Sequence, residues 1–212
     1  MNKKSTLFLL LAFSLGSVKA QTTFGIKAGV NLNSYTSFNN NQTTFVGSHV
    51  TGFVDVPVST YLSIQPGLSW QQKGTKYPSY LSDLRVNTVI TRTVNALEVP
   101  LNLVAHLPLD NAGEIFFGLG PYIGYNISAQ DRSRVITGYG RQTWEIDFNG
   151  ESATANRNMN RLEGGANFLA GYQLKIGLLV SAQYGWGMSQ LIPDNDNTVS
   201  NKTWSFSLGY RF

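Results

Sequence analysis

The sequence predicts an all-β fold: an eight-stranded antiparallel up-and-down transmembrane β-barrel. Three observations predict it. Eight stretches alternate large apolar residues with small or polar ones at period two, the mark of strands with one apolar face. Ionisable groups sit mid-strand on the polar face, at Lys27, Asp55, Glu98 and Glu163, while aromatics sit near strand ends on the apolar face, at Phe24, Trp70, Tyr125, Trp186, Trp204 and Phe212. Such aromatic girdles mark the two membrane–water interfaces of a barrel. The connections alternate long and short, as tight turns at one end and long loops at the other require.

The first twenty residues read as an address. Lys3 and Lys4 precede the apolar run Leu7–Phe13, and Val18 and Ala20 supply the small residues before a cut at Gln21. The apolar run is too short to span a bilayer as a helix of about 20 residues. This is the pattern of a cleaved secretory signal peptide, residues 1–20, leaving 21–212 as one barrel domain. Cleavage removes Lys3, Lys4 and Lys19 from 16 basic residues against 12 acidic ones, so the formal charge falls from +4 to +1. A nucleic-acid partner would need a basic stripe, and none survives. The chain has no cysteine, which excludes disulfide scaffolds, thiol catalysis and cysteine-held metals.

The strands follow in order. Phe24, Ile26, Ala28, Val30 and Leu32 oppose Thr23, Lys27, Asn31 and Asn33. Val50, Val54, Val56 and Val58 oppose His49, Thr51 and Asp55, and Leu62, Ile64, Leu68 and Trp70 oppose Ser63, Gln65, Ser69 and Gln71. Leu97 to Leu107 at odd positions oppose Glu98, Asn102 and His106. Ile115, Phe117, Leu119, Ile123, Tyr125 and Ile127 oppose Glu114, Gly118, Gly120 and Asn126. Leu162 to Leu174 at even positions oppose Arg161, Glu163, Asn167 and Gln173, and Ile176 to Met188 oppose Lys175, Ser181 and Gln183. The last strand, Thr203 to Phe212, has every even position large and apolar. Pro57, Pro66, Pro100 and Pro121 fall inside these patterns, and bulges or strand ends would accommodate them.

Long connections are read at about 35–46, 72–87, 129–160 and 190–201, and short ones around Ser59, at 108–113 and near Lys175. An even strand count then puts both termini at the short-turn, periplasmic end. Within the longest loop, 134–148 alternates around central glycines and reads as a β-hairpin continuing the fifth strand.

The chain resembles the PorT-like outer-membrane β-barrel proteins of Bacteroidota. The resemblance is carried in order by Gly25-Ile26-Lys27-Ala28-Gly29-Val30-Asn31, by Ser63-Ile64-Gln65-Pro66-Gly67-Leu68 with Gln72-Lys73-Gly74, by Leu97-Glu98-Val99-Pro100-Leu101, by Phe117-Gly118-Leu119-Gly120-Pro121-Tyr122 and by Leu208-Gly209-Tyr210-Arg211-Phe212. It implies an outer-membrane location and an eight-stranded barrel. It implies no single activity, although the namesake branch is associated with secretion and gliding machinery.

An eight-stranded barrel has an interior just wide enough for its own side chains. Inward charges need partners there, so a polar network is expected among Lys27, Asp55, Glu98, Arg161, Glu163, Lys175 and Arg211. A filled lumen disfavours one alternative, a narrow channel. The enzymatic alternative, a lipid hydrolase, would need a serine and a carboxylate beside His49 or His106, the two histidines. No nucleophile elbow or metal-spaced histidine pair accompanies them, and no cofactor is expected. The expected role is structural or interaction-based, an accessory of a secretion or envelope complex. Its partners are outer-membrane lipid, envelope proteins and, during biogenesis, the barrel-assembly machinery. Tyr139, Arg141 and Trp144 form the candidate loop patch, since Tyr, Arg and Trp dominate interface hot spots. Tyr210 and Phe212 form the candidate assembly signal.

Overall fold

The computed structural model describes residues 22–35, 43–81, 86–110, 112–136, 143–146, 161–188 and 201–212. The segment read as a signal peptide, 1–20, lies outside them. The described residues form nine strands: β1 (Thr23–Tyr35), β2 (Phe45–Pro57), β3 (Leu62–Leu81), β4 (Val86–Leu109), β5 (Gly113–Ile136), β6 (Thr143–Ile146), β7 (Leu162–Gln173), β8 (Leu178–Gly187) and β9 (Asn201–Arg211).

Every pairing is antiparallel. The order runs β4-β3-β2-β1-β9-β8-β7-β5, and β4 pairs with β5 to close the ring. This is a closed eight-stranded barrel. β6 stands outside the ring and, among the described residues, pairs with β5 alone, with Val135 opposite Trp144. The hairpin read across 134–148 therefore exists in its two arms.

Alternation sets which side chains face in. On β4, Leu97, Val99, Leu101 and Leu103 are exposed while Glu98 and Asn102 are buried. On β9, Trp204, Phe206 and Leu208 are exposed while Thr203, Ser205 and Ser207 are buried. Apolar-out and polar-in is the reverse of a water-soluble core and suits a wall facing hydrocarbon. At the long-loop end the outer wall carries Trp70 paired to Leu97 and Leu97 paired to Tyr125. Eight residues below Trp70, Leu62 marks the other end. At about 3.4 Å per residue and about 40° tilt this is roughly 20 Å, close to the apolar band height of such barrels.

The turns are tight where expected. Leu174 N–H donates to Leu178 O at 2.8 Å and Gly177 N–H to Leu174 O at 2.9 Å. Gly177 sits at φ 88°, a conformation that costs a side-chain-bearing residue.

Two expectations need correction. The segment 72–87 is not mainly loop. β3 runs to Leu81 and β4 begins at Val86, with Lys73 opposite Val94 and Tyr80 opposite Asn87. Cross-strand partners satisfy those backbones, so the hairpin carries on past the ring. The prolines are also not at bulges. Pro57 ends β2, but Pro66, Pro100 and Pro121 lie inside strands. Beside them the ladder lapses and resumes in the same register, as between Pro66↔Leu101 and Ser69↔Glu98, and between Pro100↔Tyr122 and Leu103↔Leu119. The register shift falls elsewhere, at Asn95/Ala96.

Candidate functional site: a filled, charged lumen

The lumen is packed from two charge clusters and an apolar layer. The first cluster lies toward the short-turn end. Ser63 Oγ donates to Asp55 Oδ1 at 2.5 Å and lies 2.8 Å from His106 Nε2. His106 Nδ1 lies 3.1 Å from Glu114 Oε1. Arg211 clamps both carboxylates, with Nη1 3.2 Å from Asp55 Oδ2 and Nη2 2.8 Å from Glu114 Oε1. Short turns bring these residues together: Asp55 and Ser63 flank the β2–β3 turn, and His106 and Glu114 flank the β4–β5 turn.

Ser63, His106 and Glu114 have the connectivity of a hydrolytic triad. Their hydrogen bonds argue against that chemistry. The single Ser63 proton goes to Asp55, so Nε2 must donate to Ser63, and Nδ1 donates to Glu114. With both ring nitrogens donating, His106 is an imidazolium and cannot accept the serine proton. Ser63 is also only 1% exposed. The adjoining cavity, lined by His106, Arg211, Phe53 and Lys27 among others, is about 10 Å³. That holds one water at most.

The second cluster centres on Lys73. Its ammonium pairs with Glu98 and donates to both oxygens of Glu163, at 3.0 and 3.1 Å. Tyr122 O–H donates to Glu163 Oε1 at 2.8 Å, and Lys73 Nζ stands 5.3 Å from the Tyr122 ring centroid, within cation–π range. Lys27, buried nearby, donates to Gln183 Oε1 at 3.2 Å. Within the two clusters and beside them, Lys27, Lys73, Arg211 and His106 face Asp55, Glu98, Glu114 and Glu163.

Between these charges lies an apolar layer of Phe53, Val104, Phe116, Leu169 and Leu179. Glycine makes room for its rings. A Cβ on Gly25 would stand 2.2 Å from Phe53 Cζ, and one on Gly171 2.3 Å from Phe116 Cζ. Toward the loop end, amides and hydroxyls take over. Asn31 Nδ2 donates to Gln71 Oε1 at 2.7 Å, Ser205 Oγ to Asn31 Oδ1 at 2.7 Å and Thr203 Oγ1 to Asn33 Oδ1 at 2.9 Å. His49 is 2% exposed and pairs with Ser207 Oγ at 2.8 Å, with no carboxylate among its hydrogen-bond partners.

Lys27, Asp55, Glu98, Glu163 and Arg211 therefore lie in the lumen. Arg161 and Lys175 do not. Arg161 precedes the first residue of β7, is exposed, and donates from Nη1 to Tyr125 Oη at 3.1 Å on the outer wall. At that height the ring no longer holds its side chain inward. Lys175 is exposed in the β7–β8 turn, where water solvates it at no desolvation cost. Outside the expected network but within the lumen are Lys73, Ser63, His106 and Glu114, the last three already read on the polar face of their strands. Tyr139 and Arg141 lie outside the described residues, and Trp144 is placed by its backbone in β6. Tyr210 and Phe212 are exposed on the outer wall and stack edge-on at 5.0 Å between centroids. Phe212 N–H donates to Phe24 O at 2.7 Å.

The family model described as outer membrane protein beta-barrel domain matches residues 5–212. The chain belongs to this family. As a member it is an outer-membrane β-barrel protein. No curated protein matches the chain. Among solved structures it is similar to Ail, the attachment invasion locus protein of Yersinia pestis, at 15% identity over 90% of this chain and 98% of that one, with a TM-score of 0.44. Ail has also been solved with the heparin analogue sucrose octasulfate. Neisserial surface protein A is similar at 9% identity over 89% of this chain and 97% of that one, with a TM-score of 0.46.

Proposed function

We propose that this outer-membrane barrel is an interaction protein: an anchor that holds a raised sheet outside the cell for a partner of the envelope, and performs no catalysis. A cleaved signal peptide delivers it, and its termini face the periplasm. One observation carries the reading, the contrast between a lumen filled by its own side chains and a wall extended on one side. β3, β4 and β5 span 20, 24 and 24 residues, against 13 in β1 and 10 in β8. About ten extra residues add roughly 33 Å of strand, more than membrane crossing needs, and binding residues gather on such projections from a rigid scaffold. The PorT-like resemblance supports an accessory role in secretion, and Trp144, in β6, pairs with β5 on this projection.

The test is a cross-linked pull-down of tagged protein from intact outer membranes. Repeated capture of envelope-complex subunits, reduced at least fivefold by Trp144→Ala in a normally folded barrel, is the expected result. Capture of abundant porins alone contradicts the accessory role.

A further inference from the structure

On the raised sheet, Lys76, Thr91 and Arg132 are direct cross-strand partners. One residue from each of β3, β4 and β5 therefore stands in a single row. One step nearer the ring the row is Gly74, Thr93 and Gln130. Both rows alternate along their strands with Lys73, Thr75, Val94 and Ala129, which are buried, so they occupy the opposite face. With Gln72 and the Phe45 ring, members of these rows line a recess of about 500 Å³, within the size range of small-ligand sites. Gly74 helps shape it: a Cβ there would stand 2.4 Å from Arg92 O and 2.8 Å from Phe45 Cδ1, so no larger residue fits beside the ring.

The lining has a definite chemistry. Lys76 and Arg132 are cationic, Gln72, Thr91, Thr93 and Gln130 carry amides or hydroxyls, and none of the described residues that line the recess is acidic. The two cations start from backbones two strand spacings apart, about 10 Å. They suit a ligand with two anionic substituents, held by charge-assisted hydrogen bonds. Hydroxyl and amide side chains between them match sugar hydroxyls, and a ring edge suits the apolar face of a sugar.

Position selects the source. Going down the same face, the rungs pass from Lys76–Thr91–Arg132 through Gly74–Thr93–Gln130 to Trp70, Leu97 and Tyr125 at the top of the apolar wall. Six residues along a strand tilted about 40° place the cationic row roughly 15 Å above that boundary. This is the depth of a saccharide headgroup whose acyl chains lie against the wall below. Two more exposed cations stand on the same end of the barrel. Lys202 is opposite Trp186, and Arg161 bonds Tyr125.

We infer that the outer face of the raised β3–β5 sheet binds the phosphorylated saccharide headgroup of an outer-leaflet glycolipid, with Lys76 and Arg132 pairing its anionic groups. This inference rests on the loop end facing outward. The full barrel in detergent is titrated with fluorescent lipopolysaccharide, and the Lys76→Gln/Arg132→Gln variant is titrated in parallel. The expected result is at least tenfold weaker binding by the variant, a similar loss for wild type when the glycolipid is dephosphorylated, and weakening with salt. Heat-modifiable gel migration confirms that both proteins are folded. Equal affinity of the two proteins overturns the site. Deacylated oligosaccharide or inorganic phosphate bound as tightly as intact glycolipid overturns the lipid source. Orientation is read separately, by labelling a Thr43→Cys variant in intact cells with an impermeant maleimide. Labelling supports the outward face. Labelling only after permeabilisation overturns the membrane source and the orientation together, whatever binding is measured in detergent.

Discussion

Lys73 holds the upper lumen together, because one ammonium serves two buried carboxylates. Removing one partner of a buried ion pair costs about 3–5 kcal/mol, while replacing the whole group by neutral residues costs far less. Lys73→Met should therefore lower the unfolding free energy of the refolded barrel by that much, read as a lower urea midpoint, and Lys73→Met/Glu98→Gln/Glu163→Gln should recover most of the loss. An unchanged midpoint in the single variant would show that Glu98 and Glu163 do not depend on Lys73. The lysine was within reach of the sequence, since Ser63, Gln65, Ser69, Gln71, Lys73 and Thr75 keep one parity along β3. The composition of Gln72-Lys73-Gly74-Thr75-Lys76 resembles a loop, and that local signal hid the longer period. Arg161 shows the opposite difficulty. Its parity points inward, but parity binds a side chain only where a wall continues around it.

The strands themselves were legible because lipid on one side and a narrow polar lumen on the other enforce strict alternation. Phe53, Phe116 and Leu169 escaped the reading of a polar interior. They occupy polar-face positions, and only the glycines on neighbouring strands reveal that room exists for them. Strand ends were less legible, because above the membrane nothing requires an apolar outer face. There Thr91, Thr93 and Gln130 replace the large residues that mark the wall below. The bulge at Asn95/Ala96 coincides with this change, and it lets β5 keep both faces in phase with β4. At the far end, β9 closes the ring against β1, with Tyr210 opposite Ile26. If Tyr210 and Phe212 also mark the chain for assembly, deleting Phe212 lowers the outer-membrane level severalfold on fractionated immunoblots, while Phe212→Tyr restores it. Equal levels of the deletion variant would assign Phe212 to wall packing alone.

At the scale of the whole molecule, the barrel is a solid plug with a raised side. Balanced charges, an apolar layer and an amide ladder fill the lumen in turn, and the two cavities that border Lys27 and Phe53 are each about 10 Å³. A hydrated ion needs a continuous path several times wider than that. The fold class was readable from period, girdles and loop lengths together. The solidity followed from strand number, since eight strands leave space for side chains and little else. Which groups fill it depended on register, and register is fixed only when the ring closes. A lumen packed in this way conducts nothing, and function then sits on the outer surfaces. Planar-bilayer recording of the purified, refolded barrel tests this most directly. The expected trace is a flat baseline at 100 mV, with steps appearing only when the Lys73 cluster is removed. Stable, uniform conductance steps from the unmodified protein would contradict it.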